Sequence, residues 1–251
     1  MKKIKFKVLR FVSFITICLL SLSSHADTII EERNFILSAK IPLIPKISIM
    51  QISTQLTATV KEKYKLTFKV ETLNIVDFIN NINGEGYVSG YINDGTYIPL
   101  YYKYDYTRKS KKKLVILEYL NGNISKEKFI PPFDKNKLTP IQNSQKNNTV
   151  DPATLFLRLL ELSKTNKCNE DIKIYDGKRR YDIIFSEIKI EDNIIECTAF
   201  QSKIGGYKKT ELDPLTSMDV AKIRYSNSDN NKFLEFYAKK GIIELSIIEI
   251  H

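Results

Sequence analysis

The stretch from Cys168 to Cys197 constrains the fold of this chain more than any other. These two cysteines are the only ones beyond the first twenty residues, and two strand-like runs lie between them. The dipeptide Asp176-Gly177 separates the runs and supplies the positive φ of a tight turn. We therefore predict a β-hairpin stapled by a Cys168–Cys197 disulfide. The disulfide is expected to be structural, because redox-active cysteines usually have only two residues between them.

The hairpin turn also carries a family resemblance. The run Tyr-Asp-Gly-Lys-Arg-Arg-Tyr-Asp at residues 175–182 stands between the two cysteines and follows the helix start Asp151-Pro152. It resembles the signature of an exported proteobacterial family, domain of unknown function 3108, whose pattern is similar to Asp-Gly-Arg-Arg-Arg-Tyr-Asp. Lys178 departs from that pattern, and the matching positions are Asp176, Gly177, Arg179, Arg180, Tyr181 and Asp182. The resemblance implies a half-closed barrel similar to periplasmic lipoprotein carriers, and it implies no known activity.

The N-terminal residues predict export. Five basic residues precede an apolar run from Phe11 to Leu22, and Ser24-His25-Ala26 forms a small-x-small cleavage site. We expect a signal peptide over residues 1–26 and a periplasmic location. The apolar run is shorter than the roughly 20 residues of a membrane-spanning helix, and no later run is long enough, so we expect no transmembrane segment after cleavage.

Net charge argues against a nucleic-acid partner. The formal charge of +10 includes five basic residues and no acidic ones from the expected signal peptide. The remaining 34 basic and 29 acidic residues leave a charge of +5, with the two signs intermixed. Such a balance is ordinary for a globular protein, and the periplasm holds little nucleic acid.

Periodicity predicts a mainly β fold. Runs such as Tyr64 to Val70 alternate apolar and polar residues and are separated by short turn signals, among them Asn121-Gly122. Asp151 and Pro152 begin a helix that extends to about Lys164 and has a broad apolar face. We expect a single domain over residues 27–251, built from one curved antiparallel sheet, an open or half-closed barrel, with this helix packed against it. A flexible surface loop is expected near residues 131–150, and a division into two domains at this loop is the alternative.

Four residues are candidates for ligand binding. Tyr102 and Tyr104 belong to a tyrosine stripe on one strand face, which could stack on a sugar or line a lipid groove, although cross-strand aromatic packing in a sheet is the favoured explanation. Phe156 lies on the apolar face of the helix. Arg180 could anchor an anionic headgroup, or it could pair with Asp182 or with neighbouring strands. The basic cluster Arg108 to Lys113 could touch phosphates at a membrane surface or be a solvated turn.

The absence of histidine limits the chemistry. Only His25 and His251 occur, so the body of the chain lacks an imidazole base or metal ligand, and we expect no metal, no cofactor and no enzymatic activity. A hydrolase using paired carboxylates remains an alternative. Our functional expectation is a periplasmic protein that binds an apolar or amphipathic envelope molecule inside the curved sheet. Lipid, lipoprotein and cell-envelope glycan are the candidate partners, and a scaffold protein without a ligand is the competing hypothesis.

Overall fold

The computed structural model describes residues 28–59, 62–74, 77, 81–165, 168, 170–211, 220–228 and 232–250. The expected signal peptide, residues 1–26, lies outside the described residues. Within the described ranges no helix has both the length and the hydropathy needed to cross a membrane.

Thirteen strands form one antiparallel sheet in the described part of the chain. The strands are β1 (Thr28–Ile41), β2 (Ile44–Thr59), β3 (Lys63–Thr72), β4 (Ile82–Asn93), β5 (Thr96–Arg108), β6 (Lys111–Leu120), β7 (Asn123–Ile130), β8 (Ile172–Tyr175), β9 (Arg180–Glu191), β10 (Ile194–Gly205), β11 (Val220–Ser226), β12 (Phe233–Lys240) and β13 (Ile243–Ile250). Their spatial order is β7-β6-β5-β4-β3-β2-β1-β13-β12-β11-β10-β9-β8. Strands β1 to β7 and strands β8 to β13 therefore each pair in sequence order, β1 pairs with β13 in the middle of the sheet, and β7 and β8 are its two edges.

The helix α1 (Pro152–Thr165) lies against the concave face of the sheet. Asp151 caps it, because Oδ1 accepts hydrogen bonds from the backbone N–H groups of Ala153 and Thr154, both at 2.9 Å, and Oδ2 accepts one from the Thr154 hydroxyl at 2.7 Å. Short 3-10 helices occur at Lys135–Lys137, Asn143–Lys146 and Lys209–Glu211. The mainly β class, the antiparallel sheet that does not close and the packed helix are confirmed.

Two apolar clusters fill the concave face on either side of α1. In the first, Ala153 and Leu157 of the helix pack on strand residues Tyr64, Leu66, Val88, Tyr102 and Leu117. In the second, Leu160 and Leu162 pack on Phe35, Ile195, Ile223, Tyr225 and Phe233. The middle of the concave face is thus occupied by protein side chains. This corrects the expectation of a ligand held inside the curved sheet, since burial of the broad apolar face of α1 uses that space.

The disulfide between Cys168 and Cys197 is confirmed, with Cα atoms 5.9 Å apart. It does not close the β8–β9 hairpin, because Cys197 lies on β10, one strand further. Instead it ties the chain just after α1 to the sheet, next to the second apolar cluster.

The segment from residue 131 to 150 joins the two edges of the sheet. Asn147 forms a bridge to Asn123 of β7, and Val150 forms a parallel bridge to Ile174 of β8. The Val150 N–H donates to the Lys173 carbonyl at 2.8 Å, and the Val150 carbonyl accepts from the Tyr175 N–H at 2.9 Å. Most of this segment is exposed, and its last residues satisfy backbone groups of both edge strands.

Candidate functional site

A pocket of about 440 Å³ opens at one end of the sheet. We call it the end pocket. Its walls come from five places in the chain: the C-terminal half of β5, the start of β6, the end of β7 with the prolines that follow, Pro152 at the start of α1, and the β8–β9 turn. The antiparallel topology brings these places to the same end of the sheet, so residues 75 positions apart in sequence share one cavity.

Aromatic rings form one wall of the end pocket. Tyr104 and Tyr106 stack with ring centroids 4.5 Å apart, and Phe68 packs against Tyr104 at 5.5 Å. These rings lie over the backbone of β4, where a Cβ on Gly84 would stand 2.4 Å from the Tyr106 Cβ and one on Gly86 would stand 2.5 Å from Phe68 Cζ. The two glycines thus create the space that the tyrosine stripe occupies. Burial raises the pKa of Tyr104 to about 12, which keeps its hydroxyl protonated at neutral pH.

Prolines and further aromatic rings complete the apolar lining. Pro131, Pro132 and Phe133 follow β7, and the rings of Phe129 and Phe133 lie 5.0 Å apart. Pro152, at the start of α1, contributes to the same wall. Prolines and packed rings have little conformational freedom, so the lining is rigid. Binding of a ligand would therefore cost little conformational entropy.

Four basic residues line the end pocket, namely Arg108, Lys113, Lys178 and Arg179. Burial lowers the pKa of Lys113, and the positive charges of Arg108, Lys178 and Lys111 lower it further. The Lys113 Nζ also lies 5.9 Å from the centre of the Tyr106 ring. The field at this wall is therefore positive.

Asp176 is the acidic residue of the lining, and its carboxylate is turned into the β8–β9 turn. Oδ1 accepts hydrogen bonds from the backbone N–H groups of Lys178 at 2.8 Å and Arg179 at 2.6 Å. Gly177 adopts a φ of 90°, and a Cβ there would stand 2.5 Å from Phe129 Cε1. The turn needs glycine for its backbone conformation and for its close approach to β7, so the Asp-Gly pair fixes where Lys178 and Arg179 stand.

The chain matches the family described as "Protein of unknown function (DUF3108)" over residues 44–209, about two thirds of its length. The chain belongs to this family. The matched range contains the whole lining of the end pocket and the turn described above. None of the functionally curated proteins matches this chain.

Three solved structures are similar to this chain at low sequence identity. The chain is 10% identical to a β-barrel-like DUF1849 protein from Brucella abortus, covering 90% of this chain and 96% of that one with a TM-score of 0.47. It is 8% identical to a provisionally named lipoprotein from Parabacteroides distasonis (87% and 94% covered, TM-score 0.30). It is also 8% identical to a DUF1329 family protein from Desulfovibrio piger (91% and 85% covered, TM-score 0.24).

In this DUF3108 chain the signature residues divide between two roles. Asp176, Gly177 and Arg179 belong to the end pocket, whereas Arg180 is buried and lies outside its lining. The Arg180 guanidinium donates to the carbonyl oxygens of Gln145 at 2.6 Å and Tyr181 at 2.7 Å and forms an ion pair with Asp182. Its donors are used in holding the 131–150 segment to β9. Tyr181 is half-buried, packs beside Ile172 and Ile174, and burial raises the pKa of its hydroxyl.

The four candidate ligand residues are therefore separated. Tyr102 and Tyr104 line the end pocket. Phe156 packs edge-on against Phe35, with ring centroids 4.9 Å apart, in the second apolar cluster. The sequence predicts a basic cluster that contains Lys113 and Arg108, but we did not predict from it that this cluster lies beside the tyrosine stripe. The clue was available, since both flank the β5–β6 turn and Tyr106 stands opposite Lys113 in the register.

A second, polar groove of about 580 Å³ lies on the outer face of β1 to β5. Glu85 and Asp105 face each other there as cross-strand partners. Both side chains are exposed, and Lys69 and Lys103 line the same groove.

Proposed function

We propose that this protein is an exported, non-catalytic binding protein whose ligand is an anionic amphipathic molecule held in the end pocket. The observation that carries the proposal is the pairing of aromatic and proline walls with four basic side chains at one mouth. A ligand with an apolar part and a phosphate or carboxylate group satisfies both surfaces at once. The molecules with this chemistry in a cell envelope are lipids, lipid-linked intermediates and acidic glycolipids.

The charge balance supports an anion at the mouth. Asp176 offsets part of the charge of Lys178 and Arg179, but one carboxylate against four basic side chains leaves the lining with a net positive charge. The Arg179 Nε is buried and makes no hydrogen bond within the described part of the chain. A buried N–H without an acceptor is costly, and a ligand oxyanion would remove that cost.

The apolar walls support an acyl chain or a ring in the interior. Tyr104 and Tyr106 present stacked faces, and the cavity volume falls within the range of about 300–1,000 Å³ that is typical of small-molecule sites. These walls favour a ligand at the end of the sheet, because α1 occupies its centre.

Two further arguments concern activity and location. Asp176 has no second carboxylate beside it in the end pocket lining, and the Glu85–Asp105 pair lies on an exposed strand face rather than in the buried setting of a general acid. The Cys168–Cys197 disulfide is typical of an oxidising compartment such as the periplasm. Both arguments favour an exported binding protein over a hydrolase.

Calorimetric titration tests the proposal with three ligands: a single-chain lysophospholipid bearing a phosphate monoester, its uncharged glycerol ester, and free phosphate. We expect the lysophospholipid to bind more tightly than either part alone. Lys113→Gln should weaken its binding about tenfold, the loss of one charge-assisted hydrogen bond. Lys103→Gln is the matched control, because Lys103 lies on β5 but faces the outer groove.

Native mass spectrometry of protein purified from its own envelope gives an independent test. A bound mass that disappears on lipid extraction supports the binding protein and identifies the ligand. Protein that carries no bound molecule, together with no heat of binding for all three ligands, would replace this proposal by the scaffold hypothesis.

A further inference from the structure

The end of the sheet that holds the end pocket also carries exposed aliphatic side chains. We call it the pocket end. The turns that join strands here are Pro42–Leu43, Lys109–Ser110, Asp176–Arg179 and Gly241–Ile242. Leu43 and Ile242 therefore stand at the same end as the pocket mouth, at the tips of the β1–β2 and β12–β13 hairpins.

Leu43 is unfavourable both for folding and for solvation. Its φ is 68°, and it follows Pro42 in a two-residue turn. The residue after proline in such a turn is normally Gly or Asn, because a side chain is strained at positive φ. Its relative exposure is 105%, so no packing against the described part of the chain compensates for this strain. A leucine at this position contributes nothing to the fold that glycine would not provide better.

The aliphatic side chains of the two hairpins form one surface. β1 pairs with β13 so that Lys40 stands opposite Glu244, which places the Pro42–Leu43 tip beside the Gly241–Ile242 tip. Ile242 is 67% exposed, and Ile44 and Ile243 are also exposed. We call Leu43, Ile44, Ile242 and Ile243 the apolar tip.

Basic residues surround the apolar tip. Lys46 and Lys239 are exposed on the strands that flank it, and Lys40 lies 3.9 Å from Glu244. The β5–β6 turn, which β3 and β4 separate from the β1–β2 tip, adds a second basic surface at the same end of the sheet. Its exposed lysines, Lys109, Lys111 and Lys112, form no ion pair within the described ranges.

The opposite end of the sheet provides the comparison. Aliphatic residues are exposed there too, among them Ile190 at 64%. However, the described turn residues at that end include Glu62, Asp94 and Asp192, and Glu191 ends β9 beside Ile190. Exposed apolar residues thus occur at both ends. The opposite end has mixed charge, since Lys63 follows Glu62 and Lys189 precedes Ile190, whereas the described turns of the pocket end carry more lysines and arginines than carboxylates.

We propose that the pocket end docks on the surface of a bilayer that contains anionic lipids. The apolar tip inserts among the acyl chains, while the lysines of the flanking strands and of the β5–β6 turn contact lipid phosphates. Insertion of aliphatic tips with a basic rim is favourable on such a surface because burial and charge attraction add. The mouth of the end pocket then faces the membrane. Docking goes beyond the proposed ligand binding, since it requires no ligand in the pocket.

A tryptophan reporter tests the docking directly. The chain contains no tryptophan, so Leu43→Trp gives a single reporter at the apolar tip and Ile190→Trp gives a matched one at the opposite end. With vesicles containing phosphatidylglycerol, emission of Leu43→Trp should shift to shorter wavelength and resist aqueous quenchers. Ile190→Trp should not change, and neither variant should respond to phosphatidylcholine vesicles. Equal shifts for both variants, or none for Leu43→Trp, would overturn the proposal.

Vesicle flotation separates the two contributions. The double variant Leu43→Ser with Ile242→Ser should weaken binding at least about tenfold, from the lost burial of two aliphatic side chains. Neutralising Lys109, Lys111 and Lys112 to Gln should weaken it by about fivefold for each lysine, and added salt should remove that difference. The serine pair Ile190→Ser with Ile194→Ser is the control and should bind as the parent protein does.

Sedimentation of the protein without vesicles tests whether a second copy of the chain, rather than a membrane, covers the apolar tip. A monomer at all concentrations agrees with docking, whereas a dimer that Leu43→Ser dissociates would assign the apolar tip to self-association. Lysophospholipid binding in vesicle-free buffer should be unchanged in the apolar tip variants, so failure of docking and failure of ligand binding are distinguishable.

Discussion

The hydroxyl of Tyr175 lies 2.7 Å from Glu127 Oε2, although the two residues belong to the opposite edges of the sheet. Lys146 adds to this contact, with Nζ 2.9 Å from the same oxygen and 5.1 Å from the centre of the Tyr175 ring. Burial alone would raise the pKa of Glu127, but the hydrogen bonds from Lys146 and Tyr175 outweigh burial and lower it. The edges are thus held together by side chains where no strand ladder connects them.

We predict that Tyr175→Phe destabilises the protein by about 1–2 kcal/mol, because Glu127 loses a hydrogen-bond donor in a half-buried setting. Urea unfolding followed by circular dichroism measures this change. Tyr237→Phe is the control, since Tyr237 makes its ring contact with Arg224 and should change stability by less than about 0.5 kcal/mol. Equal stability of both variants would show that the edges are held without this contact.

The buried carboxyl group of Asp151 should make the free energy of unfolding depend on pH. Burial raises its pKa from 3.8 to about 6, although four hydrogen bonds oppose the shift. Between these values the folded state binds more protons than the unfolded state, so this group lowers the free energy of unfolding as pH rises from about 4 to about 6. The decrease is about 3 kcal/mol for a shift of this size.

Asp151→Asn keeps an oxygen for the Ala153 and Thr154 N–H groups and removes the titration. Relative to the parent protein, this variant should therefore become progressively more stable as pH rises through the window and remain so above it. Urea midpoints from pH 4 to pH 8 measure the difference. A constant difference at all pH values would contradict the raised pKa.

Local features of the fold were predictable from sequence, whereas contacts between distant segments were not. Asn121-Gly122 forms the β6–β7 turn and Asp151-Pro152 begins α1, because turn and cap preferences act over a few residues. The pairing of β1 with β13 and the bridges of Asn147 and Val150 to the sheet edges join remote segments. Each bridge uses one or two backbone groups, which leave no periodic pattern in the sequence.

The sequence also could not predict which of Arg179 and Arg180 faces the pocket, although both belong to one motif. The Asp-Gly pair predicts a two-residue turn, but β9 begins only at Arg180, so Lys178 and Arg179 belong to the turn. Adjacent residues of a strand point to opposite faces, and one step of register decides which arginine faces the pocket. Gly206 fits closely against the Lys178 carbonyl at this point, and that contact is remote in sequence.

Loss of the disulfide should destabilise the protein without unfolding the sheet. The double variant Cys168→Ser with Cys197→Ser removes a closure across 29 residues and should cost about 3–4 kcal/mol in the chain-entropy description. The parent protein in dithiothreitol should show the same urea midpoint as the variant. Alkylation of either cysteine in protein taken from the native envelope without reductant would contradict the structural role.

Substitution of Arg180 should change stability without changing ligand affinity, and substitution of Arg179 should change ligand affinity without changing stability. Arg180→Met leaves Asp182 without its cation and two carbonyls without a donor, and we expect it to destabilise the protein by about 3–5 kcal/mol. Lysophospholipid affinity of the folded protein should be unchanged, and Arg180→Lys provides a folded sample if the methionine variant unfolds.

Arg179→Gln should lower lysophospholipid affinity and leave stability nearly unchanged. The Arg179 side chain is 40% exposed, and its ion pair with Glu211 is long at 3.7 Å. Its stability should stay within about 1 kcal/mol of the parent while affinity falls about tenfold. If Arg180→Lys lost affinity at full stability, Arg180 rather than Arg179 would be the anchor for the headgroup.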